Sequence, residues 1–494
     1  MAAGPPPAIG SALRNGAVYA AGTAFQRGII FLLLPVYTRV LDPAAYGRLS
    51  ILLAIAAVAI VLFSCGMDTA FFRTYFLLRE DPETQRRFVT TAWVFLLIVP
   101  PAIAAVFAVV AFPLFSSGNI VSPVEIAVAL AGAALFVSGT VVPLSLLRAQ
   151  ERLRDFVILT VVTGGSTAGF TVLFVVGLDG GVIGWLVGVV VANAVTLIAA
   201  VRIIPLRLTT GVDRLLLTGA LAMGLPLIPH ILSHWGLGIS NRLVLAGIVP
   251  ETDVGIYTLA ANVVLPVAIA MSAISTAFFP SYARAATEEA ARIALRRVII
   301  VQYVVVLVLA IGGALLGPIA VRYLAPPDYS EAADVAPWIA LGFGFYGLYF
   351  LPMNAVALTA GRTGKVWMVT VTAAAVNLGA LLLLVPVLDL VGAGISVAVG
   401  YLVLLVGVLI YSHGADNPVR YEWGKLARGV VVLVAVYAFA TATTGDRTLV
   451  DGAVRLAWIG TALPLLILAR VIDRGLFTAA LRRLSSRRRL APSL

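Results

Sequence analysis

The chain predicts an all-α polytopic membrane protein, and three observations predict it. Of its 494 residues 61% are hydrophobic and 12% charged, with a mean hydropathy of +1.04, a balance that soluble domains do not reach. Hydropathy separates about fourteen runs of near-spanning length. They are continuous rather than alternating, which argues against strands. The cations fall into alternate connections between those runs.

In chain order the runs are 14–36, 49–71, 88–113, 124–147, 156–177, 182–201, 215–239, 253–280, 298–320, 335–358, 366–388, 391–412, 428–444 and 452–470. Each approaches the roughly 20 residues that a bilayer-crossing helix needs. The first, Asn15 to Val40, carries Arg27 near its middle. Twelve residues at about 1.5 Å put Arg27 roughly 18 Å from Arg39, beyond the snorkelling reach of one side chain. Asn15, Tyr19, Thr23, Gln26 and Arg27 fall on one helical face, whereas Ile29 to Leu34 are apolar all round. The pattern is half a helix lining a wet interior and half a helix in lipid. Internal prolines such as Pro100, Pro101, Pro226 and Pro229 are tolerated in membranes, where they make kinks.

With the N-terminus inside, the even connections, Arg14 and the tail hold 27 of the 34 cations, the odd connections hold 6, and Arg27 remains. The positive-inside rule then places both termini in the cytoplasm. The sequence from Met1 to Gly16 lacks a charged start followed by a clean apolar core, so it reads as a lead-in to an uncleaved first span. Cys65 is the single cysteine, which excludes a disulfide framework and a thiol metal cluster. A net charge of +11 could suggest nucleic acid. The arginines punctuate hydrophobic runs instead, and anionic membrane lipid is the nearer partner, above all for the basic tail 471–494.

Sliding the chain by 210 residues matches Arg152 to Arg362, Thr160 to Thr370, Gly169 to Gly379, Leu178-Asp179 to Leu388-Asp389 and Gly184 to Gly394. At a slightly different offset, residues 42–50 answer residues 250–258. Spans five and six therefore echo eleven and twelve. The expected organisation is a lead at 1–13, an N-lobe of six spans at 14–207, a C-lobe of six at 208–424, two additional helices at 425–470, and the tail. Two halves of the same orientation imply a pseudo-two-fold along the membrane normal, a site between lobes, and rocking as the motion.

The stretches LPVYTRVLDPAAYGRLS (34–50), GMDTAFFRTY (66–75) and GLPLIPHILSHWGLGISNRLVL (224–245), with the Asp-Val-Gly-Ile-Tyr at 253–257, resemble the Wzx-type oligosaccharide flippases. These are polysaccharide biosynthesis proteins of the multidrug/oligosaccharidyl-lipid/polysaccharide exporter superfamily. The likeness covers spans one to twelve. It implies two six-helix lobes around a cationic lumen, no covalent chemistry and no cofactor. It also implies export of an undecaprenyl-diphosphate-linked oligosaccharide from the inner to the outer leaflet of a bacterial plasma membrane, for surface polysaccharide, with a polymerase as a further partner. Coupling would be to a proton or sodium gradient, the membrane potential, or both. Twelve spans are usual for that branch. Fourteen are usual for lipid II flippases, in which the extra pair borders a groove for the lipid tail. An ion-coupled multidrug antiporter of the same superfamily and a lipid II-type flippase are the alternatives.

Candidate residues follow. Arg27, with Thr23 and Gln26, is the candidate phosphate-binding group of the first lobe, because guanidinium binds diphosphate bidentately. Arg242 is either its counterpart in the second lobe or a headgroup anchor. Arg39 and Arg48 are candidates for the lumen or for the interface. His230 and His234 lie four apart on a face that Asn241 continues. That spacing can serve metal, but no Glu or Cys joins them, so sugar binding, proton response and helix packing are the readings that stand. Asp68 and Arg73 close span two, where a salt bridge sealing the inward mouth and a part in ion coupling both fit. Asn193, Asn262, Gln302, Asn354 and Asn377 line a lumen or bridge helices.

Overall fold

A computed structural model describes residues 31–115, 121–205, 212–229, 240–360, 364–414, 421–445 and 448–471, together with 22, 25, 28, 29, 231, 232 and 238. Among the described residues the regular structure is helical and there is no strand. Among the described residues eleven helices are long and apolar enough to cross a membrane. One of them is two spans joined at a kink, and two shorter apolar helices, Phe31–Val40 and Arg214–Leu227, stand where the first and seventh runs lie. The chain is a multi-pass membrane protein.

The helices are α1 (Phe31–Val40), α2 (Pro43–Ser64), α3 (Met67–Leu77), α4 (Pro82–Phe115), α5 (Pro123–Ala149), α6 (Leu153–Val172), α7 (Gly181–Ile203), α8 (Arg214–Gly224), α9 (Ser240–Leu245), α10 (Glu251–Ala285), α11 (Glu289–Leu324), α12 (Ala332–Asn354), α13 (Val366–Gly414), α14 (Trp423–Thr443) and α15 (Leu449–Leu468). Local chemistry sets several starts. Asp42 accepts the Ala45 amide at 2.7 Å with Pro43 at the first helical position, so α2 begins six residues before hydropathy alone places it. Ser122 with Glu125, and Thr448 with Asp451, form capping boxes on α5 and α15. The second span breaks after Ser64, where Cys65 and Gly66 both take positive φ; α3 then continues it.

By contact the chain divides into two compact units. The first holds residues up to Thr258 and Leu324–Tyr329. Its centre is α5, which packs on α2, α4, α6 and α7. Trp93 of α4, fully buried, donates its indole N–H to the Ser138 carbonyl of α5 at 2.9 Å. Asn193 of α7 donates to the Gly132 carbonyl at 2.9 Å. Gly22 backs onto Thr160 and Phe156 of α6.

The first unit also contains the closest helix crossing in the chain's repeat. A Cβ on Gly47 of α2 would stand 1.9 Å from the Glu251 carbonyl oxygen, and one on Gly255 of α10 would stand 2.0 Å from that of Pro43. The contact is reciprocal: each glycine meets the carbonyl four residues before the other. Gly47 and Gly255, like Ser50 and Thr258, are the residues that the 42–50 and 250–258 match pairs. Thr258 donates to Ser50 Oγ at 2.9 Å, and Arg48 pairs with Glu251 at 3.2 Å. Repeat-related segments therefore touch through equivalent residues, as they must where a local two-fold passes.

The second unit holds Leu259–Tyr323 and Ser330–Leu494. Its core gathers Tyr282, Leu295, Ile299, Tyr303, Leu433 and Leu466 from α10, α11, α14 and α15. α12 and α13 form its most extensive pair. Inside α13, Asp389 takes φ 50 and ψ −142 and divides the helix into the eleventh and twelfth spans. Asp179, its partner in the 210-residue repeat, takes φ 49 between α6 and α7. Short polar side chains are the non-glycine residues that enter this region most readily, and both Leu-Asp turns use one. Thr160 and Thr370, another matched pair, are both buried.

Candidate functional site

Arg27, Thr23, Gln26, His230 and His234 lie outside the described residues. The described candidates fall into two groups of the first unit. Asn241 and Arg242 sit together on α9, a short helix placed against α2. Asn241 is fully buried and donates Nδ2 to the Tyr257 hydroxyl of α10 at 3.2 Å. Arg242 is half-buried, with the phenol rings of Tyr257 and Tyr46 as its electrostatic neighbours. Tyr46 packs edge-on against Tyr329, with ring centroids 6.0 Å apart, and Tyr329 donates its hydroxyl to the Leu41 carbonyl at 2.9 Å. The result is a guanidinium in a cradle of phenols beside the Gly47–Gly255 crossing. Such a group holds an anion more strongly than a solvated one, because its surroundings offer little competing water.

Arg48 does not join this cradle; it pairs with Glu251. Arg39 is exposed and donates Nη1 to the Pro35 carbonyl of its own helix at 2.8 Å.

The other group is Asp68 and Arg73 on α3. The two do not pair with each other among the described residues. The cation that acts on Asp68 is Arg148 of α5, while Arg73 places Nη1 3.1 Å from the Met223 sulfur of α8. Residues 68 and 73 are five apart, so they diverge around the helix rather than share a face. Arg148 also stacks over Phe72 and Phe156, at 5.5 and 5.9 Å.

Of the amides, Asn193, Gln302 and Asn354 bridge helices. Besides Asn193, Asn354 donates to Ser275 Oγ at 3.0 Å, and Gln302 accepts from the Tyr282 hydroxyl at 3.0 Å. Asn377 is fully buried with Gly400 packed against it. Among the described residues no group of three or more His, Cys, Asp or Glu could hold a metal.

Sequence reasoning missed two features. It counted Arg455 with an outer connection, but Arg455 lies inside α15 at 5% exposure. Its position seven residues into an apolar helix opened by a capping box was the available signal. It also did not foresee an apolar groove of about 470 Å³ that α14 forms with α11 and α12 in the second unit, lined by Leu307, Ile311, Leu341, Phe345, Leu433 and Val434 among others.

A sequence profile described as polysaccharide biosynthesis protein matches residues 12–286. No curated protein matches. Among solved structures, a lipid II flippase, MurJ, in an inward closed conformation is similar at 13% identity with a TM-score of 0.69, covering 94% of this chain and 99% of that one. An inward-facing multidrug resistance MATE family transporter of the MOP superfamily is similar at 17% identity with a TM-score of 0.61, covering 78% and 94%. A MATE protein in the straight conformation is similar at 18% identity and a TM-score of 0.56, covering 81% and 94%. At these identities the likeness is one of fold.

Proposed function

Because the chain belongs to the polysaccharide biosynthesis protein family and has the fold of MOP-superfamily transporters, we propose that it is a flippase for an undecaprenyl-diphosphate-linked oligosaccharide. It is a transporter and not an enzyme. In this reading the lobes 14–207 and 208–424 rock about the pseudo-two-fold, with 425–470 as additional helices. The membrane is the bacterial plasma membrane, and both termini are cytoplasmic.

The observation that carries the reading is Arg242, a guanidinium set half-buried in the phenol cradle of an apolar bundle. A sugar headgroup crossing bare hydrocarbon loses hydrogen bonds at several kcal/mol per hydroxyl, so it needs a wet path, while its prenyl tail stays in lipid. The diphosphate needs cations that stay charged at depth, and arginine is the side chain that does so. In this reading Arg27, from residues 14–207, and Arg242, from residues 208–424, each supply one such group, and Thr23, Gln26, His230, His234, Asn241 and Arg39 are the further substrate-binding candidates. With the cytoplasm negative, outward movement of two negative charges is favoured by about 4–5 kcal/mol at 100 mV. The membrane potential therefore assists export, with a proton or sodium gradient as a further source through Asp68 and Arg73.

The test is genetic complementation. Arg27→Ala abolishes surface polymer in a host lacking the native transporter, while the protein stays folded and inserted. Normal polymer from that variant removes the substrate role of Arg27. Efflux of cationic drugs that depends on Asp68, with polymer export unchanged, replaces the reading with the antiporter one.

A further inference from the structure

The groove of the second unit does not stay apolar along its length. Past Pro337, Trp338 and Tyr437, which line both, it opens into a space of about 350 Å³ that Asp334, Thr441 and Arg455 also line. Asp334 stands in the first turn of α12, Thr441 in the last turn of α14 and Arg455 in the second turn of α15. The space therefore lies at one end of the bundle, at headgroup depth, on the side that the charge count assigns outward. Trp338 and Tyr437 are the aromatic type enriched at that level.

Arg455 is held firmly. Its Nε donates to Thr444 Oγ1 at 3.0 Å and its Nη1 to the Leu315 carbonyl at 2.6 Å, in the turn where Pro318 withdraws a backbone donor from α11. Two of its five N–H donors are used there, and Arg455 lines the pocket. Asp334 is exposed and lines the same space. Among the described residues no ion pair joins it to Arg455. One fixed cation and one carboxylate thus face a single cavity that continues into an apolar trough.

We propose that this pocket seats a zwitterionic phospholipid with a primary ammonium headgroup, its phosphate on Arg455, its ammonium on Asp334, and an acyl chain in the groove. Charge complementarity selects that occupant. An anionic phospholipid offers Arg455 the same phosphate but leaves Asp334 without a cation, and a diphosphate brings further negative charge to a space that Asp334 also lines. The occupant proposed is a resident lipid of the bilayer rather than the tail of the cargo, and the test distinguishes the two.

The probe is the full-length protein in nanodiscs of equal phosphatidylethanolamine and phosphatidylglycerol, with the lipid retained after mild detergent extraction identified by native mass spectrometry. Phosphatidylethanolamine is retained over phosphatidylglycerol by roughly fivefold, the scale of an exposed ion pair. Asp334→Asn brings the ratio close to one, and Arg455→Gln removes the bound phospholipid. Arg455 also ties α11 to α15, so the exposed Asp334 variant keeps the test decisive if Arg455→Gln does not fold. Equal retention of the two lipids overturns the proposal. So does an unchanged ratio in Asp334→Asn, or retention of a polyprenyl diphosphate in place of phospholipid by protein taken from cells that make it.

Discussion

Arg242 and Arg455 are both arginines in apolar helices, yet their surroundings separate their roles. Arg455 gives two donors to protein oxygens, whereas Arg242 has the Tyr257 and Tyr46 phenols as electrostatic neighbours. Loss of a charge-assisted hydrogen bond removes about 1.5–3 kcal/mol, so Arg242→Ala weakens binding of a lipid-linked diphosphate by roughly ten- to a hundredfold. Arg242→Lys recovers part of that, because ammonium lacks the bidentate fork. Binding to purified protein by microscale thermophoresis checks both. At this scale the sequence singled out Arg242 because a charge stands there against apolar surroundings. It was ambiguous where type alone decided nothing: Asn193, Asn354 and Gln302 proved to tie helices together, which needs knowledge of the facing helix. Arg455 was misplaced because a hydropathy window assigns a cation near a run's edge to the loop, while the Thr448–Asp451 capping box starts the helix earlier.

Among the elements, the α2–α10 crossing rests on glycines that have no substitute. A methyl on Gly47 would collide with a backbone carbonyl, which cannot rotate aside. Overpacking of this kind commonly costs about 1–3 kcal/mol, and Gly47→Ala or Gly255→Ala lowers the thermal midpoint by several degrees in detergent. Gly169→Ala is the control, since a Cβ there meets nothing within 4 Å, and it leaves the midpoint unchanged or slightly raised. Differential scanning fluorimetry reads all three. The repeat was legible in the paired Leu-Asp turns because the positive φ they share demands a particular residue type. That the 42–50 and 250–258 segments pack on one another was not legible. Internal similarity reveals equivalent residues but leaves open whether equivalents touch, and the touching depends on where the axis runs.

At the scale of the molecule, the account joins a family, a fold and a direction. The positive-inside rule assigns the cation-rich ends of the helices inward; among the described residues each of the fourteen hydrophobic runs meets helix. Substrate identity is the link that composition reaches least, because sugars are read by hydrogen bonds that many polar residues could make. The direct measurement is reconstitution. Proteoliposomes carrying undecaprenyl-diphosphate-linked oligosaccharide are sampled over time with a membrane-impermeant glycosidase. The account predicts protein-dependent exposure of the inner-leaflet half of the lipid, quickened by a potential negative on the side of origin and lost in Arg27→Ala and Arg242→Ala. Exposure no faster than in protein-free vesicles, or equally fast in both variants, would contradict it.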